Sequence, residues 1–170
     1  SGAVTDTGVL RITGATTINA GSNAVTLNNG NTFSGDLVLT SGALELGTTT
    51  VGGALSVTAS GAVTDTGVLA VTGTTTINAG SNNVTLDSSN TSGGAASITG
   101  GAVTVTINAA GDLTLSASGA IVFGNTTVGG NLSAITSSST ITQTGTIVVT
   151  TGTTELETPG HNFTVELLDT

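Results

Sequence analysis

The sequence SGAVTDTGVLRITGATTINAGSNAVTL (residues 1–27) returns at residues 60–86 as SGAVTDTGVLAVTGTTTINAGSNNVTL. The first ten residues of the two copies are identical. A third, divergent copy begins at residue 139 with STITQTGTIV and continues through residue 165. Self-similarity of this kind is the signature of a stacked repeat fold. We therefore predict one domain over residues 1–170, divided into repeat units at 1–59, 60–137 and 138–170.

The spacing of the copies is unequal, and the difference is informative. Ser1 corresponds to Ser60, at an offset of 59, whereas Val63 corresponds to Ile141, at an offset of 78. The second unit is thus longer than the first by the difference between these offsets, and the added stretch lies within residues 101–124. A globular core rarely absorbs such an insertion, but a solenoid accommodates it as one additional coil.

Short runs of three to five residues alternate apolar and polar side chains, as half-buried strands do. Gly, Asn or Ser follows each run, and these residues suit sharp corners. No segment shows a helical period with caps. In the second unit the alternation predicts that Val63, Leu69, Val71, Ile77, Val84 and Leu86 point inward, and that Thr64, Ala70 and Thr85 point outward.

This pattern predicts an all-β fold, a three-sided parallel β-helix with about 20 residues per coil and roughly eight coils. Small side chains suit the narrow interior of such a coil. Leu, Val, Ile and Phe together make up 44 of the 170 residues. This fraction exceeds the roughly 20% below which a packed core is improbable, so the composition disfavours disorder.

Two sets of polar residues attract attention. Residues predicted to close corners through side-chain hydrogen bonds are Asp6, Asp65, Gln143, Asn19 and Asn78. Two stretches at equivalent positions, residues 28–36 and 87–95, lack a strand pattern and are predicted to be loops on one edge of the rod. Candidate interaction residues in these loops are Asn28, Asn31, Phe33, Asp36, Asp87 and Asn90.

The charge balance excludes several partners. The chain carries ten Asp and Glu against a single basic residue, Arg11, and its net charge is −9. Nucleic-acid binding needs a basic surface that displaces counterions, so no nucleic-acid partner is predicted. No apolar run approaches the roughly 18 residues of a membrane helix, so no membrane insertion is predicted.

The sequence predicts no catalytic, cofactor-binding or metal-binding residue. Glu155 and Glu157 share one face of a strand, but their counterparts in the other copies are Thr or Asn, so we interpret them as a solvated face. His161, in the turn-like TPGHN, is interpreted as a turn residue.

Calcium is the metal that an acidic, oxygen-rich chain would fit best. However, the recurring Asp6 and Asp65 become Gln143 in the third copy, and the calcium-binding nonapeptide is absent. Corner hydrogen bonding is therefore the favoured role of these side chains.

The phrases GAVTDTGVLAVTGTTTINAG, NNVTLD and TTVGGALSVTASGAVTDTG resemble repeats of filamentous-haemagglutinin-like exoproteins. These are very large bacterial surface adhesins, typically exported by two-partner secretion. The resemblance covers essentially all 170 residues. It implies a right-handed parallel β-helix and an extracellular or cell-surface location in a Gram-negative bacterium.

These observations favour a structural role, as the stalk or fibre shaft of a secreted surface protein in adhesion, aggregation or biofilm matrix, without enzymatic activity. The alternative is a glycan-binding or polysaccharide-cleaving β-helix module. Expected partners are further coils of the same or a neighbouring chain, including an end-to-end homopolymer, and a host or bacterial surface glycan or protein.

Overall fold

The structure, a computed structural model, describes residues 2–158, and these form a stack of parallel β-coils. Each coil contributes strands to three columns that run along the stack. The predictions for His161 and for the last part of the third unit lie outside the described residues. None of residues 2–158 belongs to a helix that could span a lipid bilayer.

The first two columns form a 13-stranded sheet in the described residues. The strands of the first column are β1 (Val4–Thr5), β4 (Val25–Leu27), β7 (Leu44–Leu46), β10 (Val63–Asp65) and β19 (Ile141–Gln143). Those of the second column are β2 (Arg11–Ile12), β5 (Asn31–Phe33), β8 (Thr49–Val51), β11 (Leu69–Val71) and β20 (Ile147–Val149). Three longer strands continue through the corner and belong to both columns: β13 (Val84–Ser92), β15 (Val103–Ala109) and β17 (Ile121–Val128).

The third column is a separate sheet, eight-stranded within residues 2–158. Its strands are β3 (Thr16–Asn19), β6 (Leu37–Ser41), β9 (Leu55–Ala59), β12 (Thr75–Asn78), β14 (Ala96–Gly100), β16 (Leu113–Ala117), β18 (Leu132–Thr136) and β21 (Thr154–Glu157). All strand pairs in both sheets are parallel.

The coils can be counted from the residues that are in register along the first column. Residues in register along this column are Val4, Val25, Leu44, Val63, Val84, Val103, Ile121 and Ile141, and they begin coils 1 to 8 of the described chain. The residue number advances by between 18 and 21 from each of these positions to the next. The predicted all-β solenoid of roughly eight coils is confirmed.

Coil counts also explain the unequal repeat units. Three coils separate Val4 from Val63, and four coils separate Val63 from Ile141. The second unit is therefore longer by one whole coil, as predicted. Because each added coil keeps the register of its neighbours, the insertion leaves the inward and outward faces unchanged.

The interior of the stack is an apolar ladder. All six side chains predicted to point inward in the second unit are at most 3% exposed, whereas Thr64, Ala70 and Thr85 are half-buried on the other face. The largest fully buried side chains include Phe33 and Phe123. Coil positions stack in register, so apolar side chains recur along each inward row, interrupted by buried polar residues such as Asn31, Thr49 and Asn90.

The prediction of strand-free loops at residues 28–36 and 87–95 is wrong. Asn31–Phe33 is strand β5, and β13 extends to Ser92. Asn31, Phe33 and Asn90 are at most 2% exposed. The strand pattern is hidden because Asn occupies an inward position in both copies, where alternation alone requires an apolar residue. Asn28, Asp36 and Asp87 are exposed.

Candidate functional site

The most elaborate polar site of the interior is an Asp–Asn pair that links neighbouring coils. Asp65 points inward, in register with Leu46 of the coil before it. Its Oδ2 accepts a hydrogen bond from Asn90 Nδ2 of the next coil at 2.7 Å. The backbone N–H groups of Asp87 and Ser88 donate to the two carboxylate oxygens at 3.0 and 3.4 Å. We call this arrangement the Asp–Asn clip.

The side-chain oxygen of Asn90 takes part in a second hydrogen bond between the same two coils, this time as the acceptor. Asn90 Oδ1 accepts a hydrogen bond from Leu69 N of the preceding coil at 2.8 Å. The Asn90 side chain thus donates to a carboxylate and accepts from a backbone amide, both of which belong to the preceding coil. Asp65 and Asn90 are 6% and 2% exposed, so these bonds satisfy polar groups that would be costly to bury alone.

The first repeat unit contains the same clip. Asn31 Nδ2 donates to Asp6 Oδ2 at 2.7 Å, and Asn31 Oδ1 accepts from Leu10 N at 2.9 Å. The backbone N–H groups of Asn28 and Asn29 donate to the Asp6 carboxylate at 3.2 Å each. The predicted corner hydrogen bonding of Asp6 and Asp65 is therefore present, although the side chains reach it from inside the coil.

The two clips differ in electrostatics. Burial raises the pKa of Asp65 above its ordinary value and outweighs the hydrogen bonds from Asn90, Asp87 and Ser88. Burial also acts on Asp6, but there the hydrogen bonds prevail and its pKa lies below the ordinary value. Desolvation therefore prevails at Asp65 and hydrogen bonding at Asp6.

In the third unit, Gln143 takes the corresponding inward-facing position. It is half-buried and in register with Phe123 of the coil before it. The residues that would correspond to the Asn of the clip lie beyond residue 158.

The corner after strands β3 and β12 contains the remaining predicted corner residues. Asn19 Oδ1 accepts from Gly21 N at 3.0 Å, and Asn78 Oδ1 accepts from Gly80 N at 2.9 Å. The glycines have φ angles of 61° and 58°. This corner is longer in coils 1 and 4 than in coils 2, 3, 5 and 6, which contributes to the greater length of coils 1 and 4.

The exposed members of the predicted interaction set lie at corners. Asp36 Oδ1 accepts a hydrogen bond from Ala54 N of the next coil at 2.8 Å. Asn28 Nδ2 lies 3.5 Å from Glu45 Oε1. Asp87 is exposed beside the clip. These contacts hold corners together, and no ligand-binding role of these residues follows from them.

The carboxylates considered for catalysis lie on the third column. Glu155 and Glu157 are exposed on the same face of β21, as the alternation predicted, and Ser133 Oγ donates to Glu155 Oε2 at 3.4 Å. Among residues 2–158, no group of three or more His, Cys, Asp or Glu side chains is arranged to hold a metal ion.

A groove that sequence reasoning missed lies where the first column turns into the second. Between their inward-facing strand residues, coil 5 has three corner residues (87–89), coil 7 has two (124–125) and coil 8 has three (144–146). Coil 6 has a single one, Thr106. The short corner recedes between its longer neighbours and leaves a groove of about 370 Å³, which we call the coil-6 notch.

The walls of the notch consist mainly of hydroxyl and amide side chains, and the exposed side chain of Val148 also lines the groove. They come from four successive coils, and the side chains that face the groove include Ser89, Thr106, Asn108, Asn125, Thr127 and Thr146. No charged residue lines it. The sequence contained one signal for this site, since coil 6 lies within residues 101–124, the stretch that holds the extra coil of the second unit.

Together, the parallel stack and its inward ladders define a β-solenoid repeat protein. A family model described as repeats of unknown function (DUF5649) matches residues 1–40, 34–99 and 110–170. The chain therefore belongs to this family of repeats. No curated protein and no solved structure matches it. The family match supports the repeat architecture and names no adhesin.

Proposed function

We propose that the chain is a structural shaft, a length of rod within a secreted surface protein of a Gram-negative bacterium, without enzymatic activity. The observation that carries the proposal is the whole-coil difference between the two complete repeat units. A fold whose length changes in coils, at constant register, is suited to spacing other parts of a protein.

The exterior fits the same role. The outward column of the first sheet is dominated by threonine, as at Thr5, Thr26, Thr64, Thr85 and Thr104. Seven steps of about 4.8 Å between eight coils give a rod of roughly 34 Å. Glu45 and Val122 lie in the same column, so the face is rich in hydroxyl groups with one carboxylate among the described residues, and it remains hydrated.

More specifically, we propose that this shaft is a stalk in adhesion, aggregation or biofilm matrix. It is supported by the resemblance of the VTDTG and TTINAG phrases to filamentous-haemagglutinin-like repeats. The proposed partners of the shaft are further coils of the same kind stacked at its ends, which would extend the rod.

Immunogold labelling of intact producing cells tests the location. Antibodies against the chain should label the outside of the cell, at a distance from the envelope. Label confined to the cytoplasm of sectioned cells would contradict the proposal. Permeabilised cells serve as the control for antibody access.

A further inference from the structure

We propose that the coil-6 notch binds a neutral polysaccharide chain lying along the rod. The notch interrupts the exterior of the rod, and it lies in the coil that distinguishes the second repeat unit from the first. Its volume of about 370 Å³ lies within the range of small-molecule sites. A shaft without glycan affinity would fail this proposal and leave the proposed function intact.

The chemistry of the walls selects the ligand class. Thr and Ser hydroxyls both donate and accept hydrogen bonds, and Asn amides do so through separate atoms. Asn125 Oδ1 accepts from Thr146 N at 3.1 Å, which leaves its amide nitrogen as a donor. Among the described residues, no protein group is hydrogen-bonded by the side chains of Thr106, Asn108 or Thr127. Sugar hydroxyls, which also donate and accept, complement such a surface.

Other ligand classes fit less well. A peptide is usually captured by an unpaired strand edge or by apolar pockets, but β13, β15 and β17 are paired with neighbours on both sides. An anionic polymer finds no cation, and the whole chain carries a net charge of −9. A cationic polymer finds no carboxylate among the lining residues either, so the ligand that fits the notch best is uncharged.

The arrangement of the side chains in the notch also sets the orientation of the bound polysaccharide. Two polar side chains line the notch on each of coils 5, 6 and 7, namely Ser89 and Thr91, Thr106 and Asn108, and Asn125 and Thr127. These pairs repeat along the rod axis at about 4.8 Å, so an extended oligosaccharide placed along the axis meets a polar pair at each of these coils. Since the notch offers no aromatic ring for stacking, we expect a dissociation constant on the order of 1 mM for one chain.

Heteronuclear NMR of the complete chain tests the proposal with three neutral hexasaccharides, cellohexaose, maltohexaose and chitohexaose in its N-acetylated form. At least one should shift the resonances of Thr106, Asn108 and Asn125. Hexagalacturonate, the anionic comparison, should shift them weakly or not at all.

Thr127→Val removes one hydroxyl from the notch and should weaken binding by about 3-fold to 10-fold, as expected for one hydrogen bond. Thr50→Val is the matched control, because Thr50 lies in the same outward column on coil 3, outside the notch, and binding should be unchanged. The proposal is overturned if no neutral hexasaccharide shifts these resonances at about 10 mM, tenfold above the expected dissociation constant. Equal binding of hexagalacturonate, or equal weakening by both substitutions, would also overturn it.

Discussion

The inward carboxylate of the Asp–Asn clip occupies a position that Leu takes in the coils on either side of it. Asp65 is in register with Leu46, and its carboxylate accepts from one amide side chain and two backbone groups. The side chain thereby ties two coils together at the corner where the first column ends. Since all its donors come from the following coil, the clip makes the stability of the coil that contains the Asp depend on the next coil.

Asp65→Asn tests the contribution of the clip to stability. An amide has a single oxygen and cannot accept from all three donors of the wild type, so at least one of these donors loses its partner. We expect the free energy of unfolding to fall by about 1–3 kcal/mol in urea denaturation. Asp87→Asn, the same change at an exposed neighbour, should alter it by less than about 0.5 kcal/mol. Equal losses in the two variants would show that the clip contributes nothing specific.

The opposite pKa directions of the two clip carboxylates predict opposite pH dependences. The pKa of Asp6 is lowered on folding, so its stabilising contribution is present above its ordinary value and is lost as the pH falls. The pKa of Asp65 is raised, so the wild type gains stability from this group as the pH falls.

We therefore expect the difference in free energy of unfolding between wild type and Asp6→Asn to become smaller as the pH falls from about 7 to about 3. The corresponding difference between wild type and Asp65→Asn should become larger over the same range. Urea denaturation at a series of pH values measures both differences. Parallel trends in the two variants would contradict the assigned directions.

At the scale of the element, the corner after β12 depends on one backbone conformation. Gly80 has a φ angle of 58°, which costs about 1–2 kcal/mol for a residue with a Cβ atom. Gly80→Ala should therefore lower the free energy of unfolding by about that amount. Gly8→Ala is the control, because a Cβ atom there meets nothing within 4 Å and φ is not positive. Similar thermal melting of Gly80→Ala and wild type would argue against this corner geometry.

The strands show which features are accessible from the sequence. Alternation within β10 and β11 correctly predicts that Val63, Leu69 and Val71 point inward, because one face of each strand is buried and the period is two. The same alternation implies that Asp65 lies on the inner face of β10, which its assignment to a corner does not capture. The strand at Asn31–Phe33 escapes prediction because its first inward residue is polar.

The coil-6 notch could not be predicted in the same way. It arises from the difference in corner length between Thr106 and the neighbouring coils, and this difference becomes visible only when the coils are in register. Gly124 belongs to the same feature, since a Cβ atom there would overlap with Thr106 Oγ1. A pattern within one coil contains no information on how far its corner protrudes relative to the next.

At the scale of the whole molecule, the fold should tolerate the loss of a coil but not of half a coil. Deleting residues 103–120 connects coil 5 directly to coil 7 and gives the second unit the three coils of the first. We expect this variant to keep its β-type circular dichroism. Its largest dimension should shorten by about 4.8 Å in small-angle X-ray scattering.

Deleting residues 103–111 is the matched control, because it removes strand β15 and leaves a partial coil that cannot pair in register. This variant should lose much of its β signal. Unfolding of both variants to the same extent would show that coils are not independent units of the stack.

The direction of the hydrogen bonds in the stack has a mechanical consequence. Bonds such as Val25 N to Ala43 O and Leu44 N to Ala62 O, both 2.9 Å, join each coil to the next along the rod axis. A pull on the two ends loads these bonds one coil at a time, so the rod should yield stepwise. Each released coil of about 19 residues supplies roughly 60 Å of extended chain in exchange for about 4.8 Å of rod. Single-molecule force spectroscopy should record this step length. If the rod joins two surfaces, the opening of one coil would let them separate by more than ten times the length of that coil before the next coil opens.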